Sequence, residues 1–181
     1  MHMWIIVWQM RVVWCIVVAK WNKVVNLAEA IVLLIHRMLI GEYRHAIDEK
    51  RRIALPAKFR GALGKKVIIT RGLDSCLFVF SKNEWHSIVE KLNRLSMGQA
   101  DSRAFGRYLF AGAAEVDIDR LGRILVPSEL VAHAKLKNRA VLIGVNDRCE
   151  MWNEKTWDTY RASVEKEADQ VAEKLGEIGV L

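Results

Sequence analysis

Proline is almost absent from this 181-residue chain: there are two, Pro56 and Pro127, and only three cysteines. Cys15, Cys76 and Cys149 are odd in number and scattered, without a C-x-x-C pair. They fit a reducing cytoplasm, and Cys76 and Cys149 read as small apolar strand residues, not redox or metal groups. Signatures of chemistry are also missing. There is no G-x-x-x-x-G-K-[ST], no G-x-G-x-x-G and no H-x-x-x-H, and His45, His86 and His133 stand apart. His45 lies close before Asp48, but a hairpin end is a poor place for a buried acid–base pair. The expectation is a protein with no catalytic site, metal, cofactor or small-molecule substrate. A long uncharged apolar run is lacking as well. Residues 1–37 carry Trp4, Trp8, Trp14 and Trp21 among Ile and Val, but Arg11, Lys20, Lys23 and Glu29 interrupt them. No uncharged stretch reaches the roughly 18–20 residues that a spanning helix needs, and no small-x-small cleavage site follows. Recognisable patterning begins at Ile40-Gly41-Glu42. Residues 1–37 are therefore expected to be translated upstream sequence ahead of a true start at Met38, with a membrane anchor as the alternative.

The two prolines mark what is present. Asp48-Glu-Lys-Arg-Arg-Ile-Ala-Leu-Pro56 returns as Asp119-Arg-Leu-Gly-Arg-Ile-Leu-Val-Pro127, and Gly72, Phe80 and Trp85 are echoed by Gly144, Trp152 and Trp157. Such a repeat implies two copies of one structural unit. At about 55–70 residues each, a lone core is marginal, so the units should share a core and gain further burial by self-association. Each unit reads alike. A short strand (Tyr43–Ile47, Glu115–Ile118) meets an Asp-centred turn and a second strand (Ile53–Leu55, Ile124–Val126), which together read as a β-hairpin. Gly122 suits a left-handed turn position, whereas the first copy has Arg51 there. Pro56 and Pro127 open short helices at 57–63 and 128–136. A β pair follows in each unit, 67–70 with 77–80 and 140–143 with 149–152. Ser81-Lys-Asn-Glu84 is a capping box ahead of a helix with Trp85, Ile88, Leu92 and Leu95 on one face. A helix over 99–111 joins the units. Asn153 can cap a last helix in which Trp157, Tyr160, Val164, Ala168, Val171 and Leu175 form a stripe, lying either on its own unit or against a neighbouring subunit.

The formal net charge is +7, and its distribution is uneven. Arg44, Lys50, Arg51, Arg52, Lys58, Arg60, Lys65, Lys66 and Arg71 face only Asp48 and Glu49 over that stretch, while the tail from Glu165 leans acidic. A basic face for nucleic acid or anionic membrane fits this asymmetry, as does a solvated surface. Exposed Asp48–Arg52 and Asp119–Arg123 pairs would contribute only about 0–1 kcal/mol each, a weak reason to repeat them. In the functional reading, each Asp fixes its turn through the backbone, and each Arg offers a planar fork to phosphate or a guanine edge. Lys50, Arg51, Arg44 and Lys58 would add phosphate contacts that orient without reading sequence.

Gly41-Glu-Tyr-Arg44, Asp48-x-x-x-Arg52, Pro56-Ala-Lys-Phe-Arg60, Thr70-Arg-Gly-Leu-Asp74, Asp119-x-x-Gly-Arg123 and Ile143-Gly-Val145 together resemble the MraZ family of bacterial transcriptional regulators. The similarity runs from about Met38 to Tyr160. It implies an α+β fold of two tandem SpoVT-AbrB-type units, 40–86 and 113–158. These would form a swapped-hairpin, double-ψ-like β-barrel with peripheral helices, linking helices at 87–112 and a C-terminal helix at 159–181. It also implies a cytoplasmic, nucleoid-associated homo-oligomeric ring. That ring would bind short direct repeats of double-stranded DNA and repress the division and cell-wall gene cluster. The family's Arg positions fall on Arg52 and Arg123, and the turn-organising Asp on Asp48 and Asp119. Arg51 stands where the first copy usually has Gly. An antitoxin-like protein-binding module on the same barrel is the alternative. N-terminal sequencing of the native protein should return Met38 as the first residue; peptides from residues 1–37 would contradict the late start.

Overall fold

The computed structural model describes residues 38–178; the readings of residues 1–37 lie outside it. The described chain is mixed α+β. It runs β1 (Leu39–Ala46), β2 (Arg52–Ala54), α1 (Ala57–Leu63), β3 (Lys66–Arg71), β4 (Leu77–Ser81), α2 (Lys82–Asn93) and α3 (Ala100–Ala111). The second copy follows as β5 (Ala114–Asp117), β6 (Arg123–Leu125), α4 (Ser128–His133), β7 (Arg139–Asn146), β8 (Arg148–Asn153) and α5 (Glu154–Glu177). No helix among the described residues is long and apolar enough to cross a membrane.

The expected hairpin at each motif is not what forms. β1 and β2 meet only at an isolated bridge, Ile47 to Ile53. β2 instead pairs antiparallel with β6 of the other unit, Ile53 opposite Ile124. β1 runs antiparallel along β7, and β5 along β3, so each unit's first strand is donated to the other unit's sheet. The six-stranded sheet has the order β1-β7-β8-β4-β3-β5, with β4 and β8 joining the two units at its centre. The reason is burial. An isolated two-stranded ribbon is marginal in water, whereas the exchange sends the apolar residues of both copies into one cluster. Ile53, Leu55 and Phe59 pack there with Ile124, Val126 and Leu130, and Tyr43 stands edge-on to Phe59 at 5.1 Å. The expected shared core is thus present.

Local sequence explains most boundaries. β1 begins earlier than expected because Gly41, at φ 113°, lies opposite Gly144, where a Cβ would run into the backbone of Leu39 and Ile40. The two glycines let the strands approach closely enough to pair from Leu39 onward. Pro56 and Pro127 stand just before their helices, at φ −52° and −56°, as N-caps that bring no side-chain acceptor. α4 ends at His133, short of the expected Leu136, because Lys135 turns left-handed at φ 50°. Leu136 then leaves the helix for the core. The Ser81 hydroxyl accepts from Glu84 N–H at 3.2 Å, and Asn153 Oδ1 accepts from the N–H groups of Lys155 and Thr156 at 3.0 and 3.3 Å. These capping bonds start α2 and α5 where expected. Cys149 is buried in β8, but Cys76 is buried just ahead of β4 and not within it. Burial raises both thiols' pKa, which makes them inert.

Ile53 and Ile124 are fully buried, 0 % exposed, so Ile53→Ala or Ile124→Ala should each lower stability by about 2–5 kcal/mol in urea unfolding. Because the two face each other, the double variant should lose less than the sum. Full additivity would contradict the pairing.

Candidate nucleic-acid interface

The two motif turns are built alike. Asp48 N–H bonds Arg52 O at 2.9 Å and Arg51 N–H bonds Asp48 O at 2.8 Å; in the second copy Asp119 N–H bonds Arg123 O at 2.9 Å and Gly122 N–H bonds Asp119 O at 2.8 Å. Each aspartate then closes its own turn. Asp48 Oδ1 accepts from Arg52 N–H at 2.8 Å, and Asp119 Oδ1 accepts from Leu121 and Arg123 N–H, both at 2.9 Å. A carboxylate is needed here because it accepts without a competing donor, and its short reach matches the turn. The Arg123 N–H bond is the main reason the Asp119 carboxyl sits below its ordinary pKa.

Arg51 keeps the left-handed conformation that its partner fills with glycine: φ is 60° at Arg51 and 75° at Gly122. The turn type is therefore preserved, at about 1 kcal/mol for a residue with a Cβ. The carbonyls of these two residues also tie the units together. Leu55 N–H bonds Gly122 O at 2.9 Å, and Val126 N–H bonds Arg51 O at 3.0 Å. The two turns consequently sit at opposite ends of the short antiparallel β2–β6 pair, close enough for the Arg123 side chain of one to come within 3.9 Å of Asp48 in the other.

The copies differ in how they hold their arginines. Arg123 places Nε and a terminal nitrogen each 2.9 Å from Asp119 Oδ2, with Asp48 Oδ2 at 3.9 Å. The proposed Asp48–Arg52 side-chain pair does not form. Asp48 holds the Arg52 backbone, and among the described residues the half-buried Arg52 guanidinium has no carboxylate partner. Lys50, Arg51 and Lys58 are exposed nearby in sequence. Arg44 is placed differently. Glu42, Glu154 and Asp158 surround its guanidinium at 2.9, 3.2 and 2.6 Å, tying β1 to the first turns of α5. With three carboxylates in attendance it is poorly free to meet phosphate.

Two cations were missed as site residues. Arg120 is exposed on the second turn, and its place inside the repeated motif could have signalled it. Arg60 bonds Leu55 O through Nε at 2.9 Å and lies over Gly122, where any Cβ would strike the guanidinium. Nothing local to Arg60 reveals that contact, because it joins α1 of one unit to the turn of the other. Its charge and the burial of the ring lower the pKa of His45, burial acting more strongly. His133 Nε2 lies 3.3 Å from the Tyr108 hydroxyl, which donates to Gly72 O at 2.7 Å. That histidine belongs to the packing of α3.

A family model described as "MraZ protein, putative antitoxin-like" matches residues 38–108 and again 109–177. The chain belongs to the MraZ family. The two successive matches divide the chain as its internal repeat does. A relative from Caldanaerobacter subterraneus subsp. tengcongensis is 46 % identical over 143 residues, covering 79 % of this chain and 100 % of the relative. One from Thermoanaerobacter pseudethanolicus is 45 % identical over the same shares. Both relatives carry the name transcriptional regulator MraZ, which supports a transcription regulator.

The left-handed pair makes opposite predictions for the two MraZ turns. Arg51→Gly should raise stability by up to about 1 kcal/mol, whereas Gly122→Ala should lower it by more, since strain and collision with Arg60 add. Urea midpoints check both. The depressed Asp119 carboxyl contributes stability above the unfolded value near pH 4, lost as pH falls through the lower folded value. The midpoint gap between the parent chain and Asp119→Asn should accordingly narrow as pH drops below about 4.

Proposed function

We propose that this MraZ-family chain is a sequence-specific DNA-binding regulator that represses the division and cell-wall gene cluster from the nucleoid. It would bind short direct repeats as a ring built on the family's swapped-hairpin barrel. The observation that carries the reading is the paired turns. Two backbone-locked tips flank the three-residue β2–β6 pair, carrying Arg52, Arg51, Lys50 and Arg120 with Lys58 close by in sequence, and among the described residues Arg52 lacks a carboxylate partner. A guanidinium held on a rigid turn but left unpaired is suited to bidentate capture of phosphate or a guanine edge. Arg123, already forked onto Asp119, serves first as a brace for the tip. On α5, Val164 and Val171 are exposed and would let the antitoxin-like alternative hold a protein partner, but the basic turns favour nucleic acid. One subunit alone binds weakly, and linkage within a ring raises the local concentration of the next tip.

Arg52→Ala should weaken binding in a gel-shift series far more on a tandem-repeat duplex than on a single repeat, and Arg123→Ala should weaken it less than Arg52→Ala. Operator affinity unchanged by Arg52→Ala would reject the assignment. With several phosphates neutralised, the logarithm of affinity should also fall steeply and linearly with the logarithm of salt.

A further inference from the structure

Aligned on Pro56 and Pro127, the two copies set Arg51 against Gly122 and, four residues after each proline, Arg60 against Val131. The exchange is reciprocal. The turn that carries Arg51 has the uncharged Val131 at the matching place in the other unit's helix, and Val131 is half-buried against the core. The turn that carries Gly122 has Arg60 instead. Gly122 is buried at φ 75°, and a Cβ there would strike the Arg60 guanidinium carbon, its Nε and one terminal nitrogen. Each turn thus has one guanidinium at its left-handed residue. The first turn supplies its own, and the second borrows one from α1 of the other unit.

The way Arg60 is held leaves one edge of it open. Nε donates to Leu55 O at 2.9 Å, and Leu55 N–H in turn bonds Gly122 O at 2.9 Å. Helix, strand and turn are therefore tied through a single residue. Among the described residues no carboxylate pairs with Arg60, and its terminal nitrogens donate to no protein group. The charge is felt next door: the pKa of His45 on β1 is lowered, by burial first and by Arg60 second. A brace needs only the Nε–H. A half-exposed guanidinium oriented by a separate bond, with two parallel N–H donors to spare, presents an end-on fork to a phosphate. The same turn exposes Arg120 beside it in sequence to Gly122 and Leu121.

We infer that Arg60 is the phosphate-binding group of the second turn, its terminal nitrogens meeting one backbone phosphate of the DNA while Nε keeps it over Gly122. The inference rests on the duplex-binding role proposed above and divides the labour within it. A phosphate contact carries no base information, so Arg60 sets the position of the second turn on the duplex. It does so at the end of the β2–β6 pair away from Arg52. Gly122 then serves twice, as a left-handed turn residue and as the gap in which the guanidinium lies.

Arg60→Gln removes the charge, and Arg60→Lys keeps it without the fork; Arg60 is half-exposed, and circular dichroism should show both variants folded. Fluorescence anisotropy on the full chain should compare two duplexes of equal length across a salt series. One carries a single repeat taken from the DNA that co-purifies with the protein, and the other is unrelated. Arg60→Gln should weaken binding to both by a similar factor, roughly ten- to hundredfold at low salt. It should also make the salt slope shallower by about 0.9 for each chain engaged. Arg60→Lys should keep the parent's slope and lose less affinity. A slope unchanged in Arg60→Gln would reduce Arg60 to a brace, and a loss confined to the single-repeat duplex would make it a base reader. Either result overturns the inference alone, because Arg52→Ala still tests the reading beneath it. A parent that binds neither duplex would sink both.

Discussion

Ile53 and Ile124 face each other at the centre of the β2–β6 pair, and from that crossing the rest of the molecule can be laid out. Each motif supplies a strand of only three residues, too short to hold a fold by itself. Crossed on one another, the strands bury both isoleucines and align Leu55 with the turn carbonyl of Gly122, and Val126 with that of Arg51. The donated strands β1 and β5 then complete the sheet of the opposite unit. Neither copy can bury its apolar residues without the other, which is why a repeat of marginal size yields one body.

The same crossing sets the chemistry of the surface. It sets one turn at each end of the short pair, and the aspartates of both are consumed by backbone N–H groups, so much of their negative charge is directed inward to the turns. Lys50, Arg51 and Arg120 remain exposed. Symmetry is broken twice. Arg51 occupies a position suited to glycine, giving up some conformational ease for an extra charge at the first tip. Arg60 rests on Gly122 in the second tip, where the first copy's bulk would not allow it. The first tip is richer in cations and its Arg52 is unpaired; the second is braced by Arg123 on Asp119. The two copies of the motif therefore hold their arginines differently, Arg123 on Asp119 and Arg52 without a carboxylate among the described residues.

Much of this was legible in the chain itself. The spacing of Asp48 and Asp119 to their arginines gave the turns, Ser81 and Asn153 gave the helix starts, and Val67–Thr70 against Leu77–Phe80 gave the β pair. What local sequence cannot carry is the partner of a strand. Periodicity places Ile53 on a buried face but does not say whether β2 folds back on β1 or crosses to β6, so the motif alone reads as a hairpin where the structure has an exchange. The fate of Arg44 was hidden for the same reason. Its three carboxylates come from β1 and from α5 at the far end of the chain, and sequence distance conceals the cluster. Arg60 over Gly122 is a contact between units and was equally out of reach.

Native-state hydrogen exchange across the described residues tests the crossing most directly. The Leu55 and Val126 amides, each bonded to the other unit's turn, should exchange through a single global opening shared with β3 and β7. They should show one free energy and one denaturant dependence, as expected of a single cooperative unit. Distinct opening energies for the two halves, or fast exchange at Leu55 and Val126 while β3 and β7 stay protected, would contradict the account.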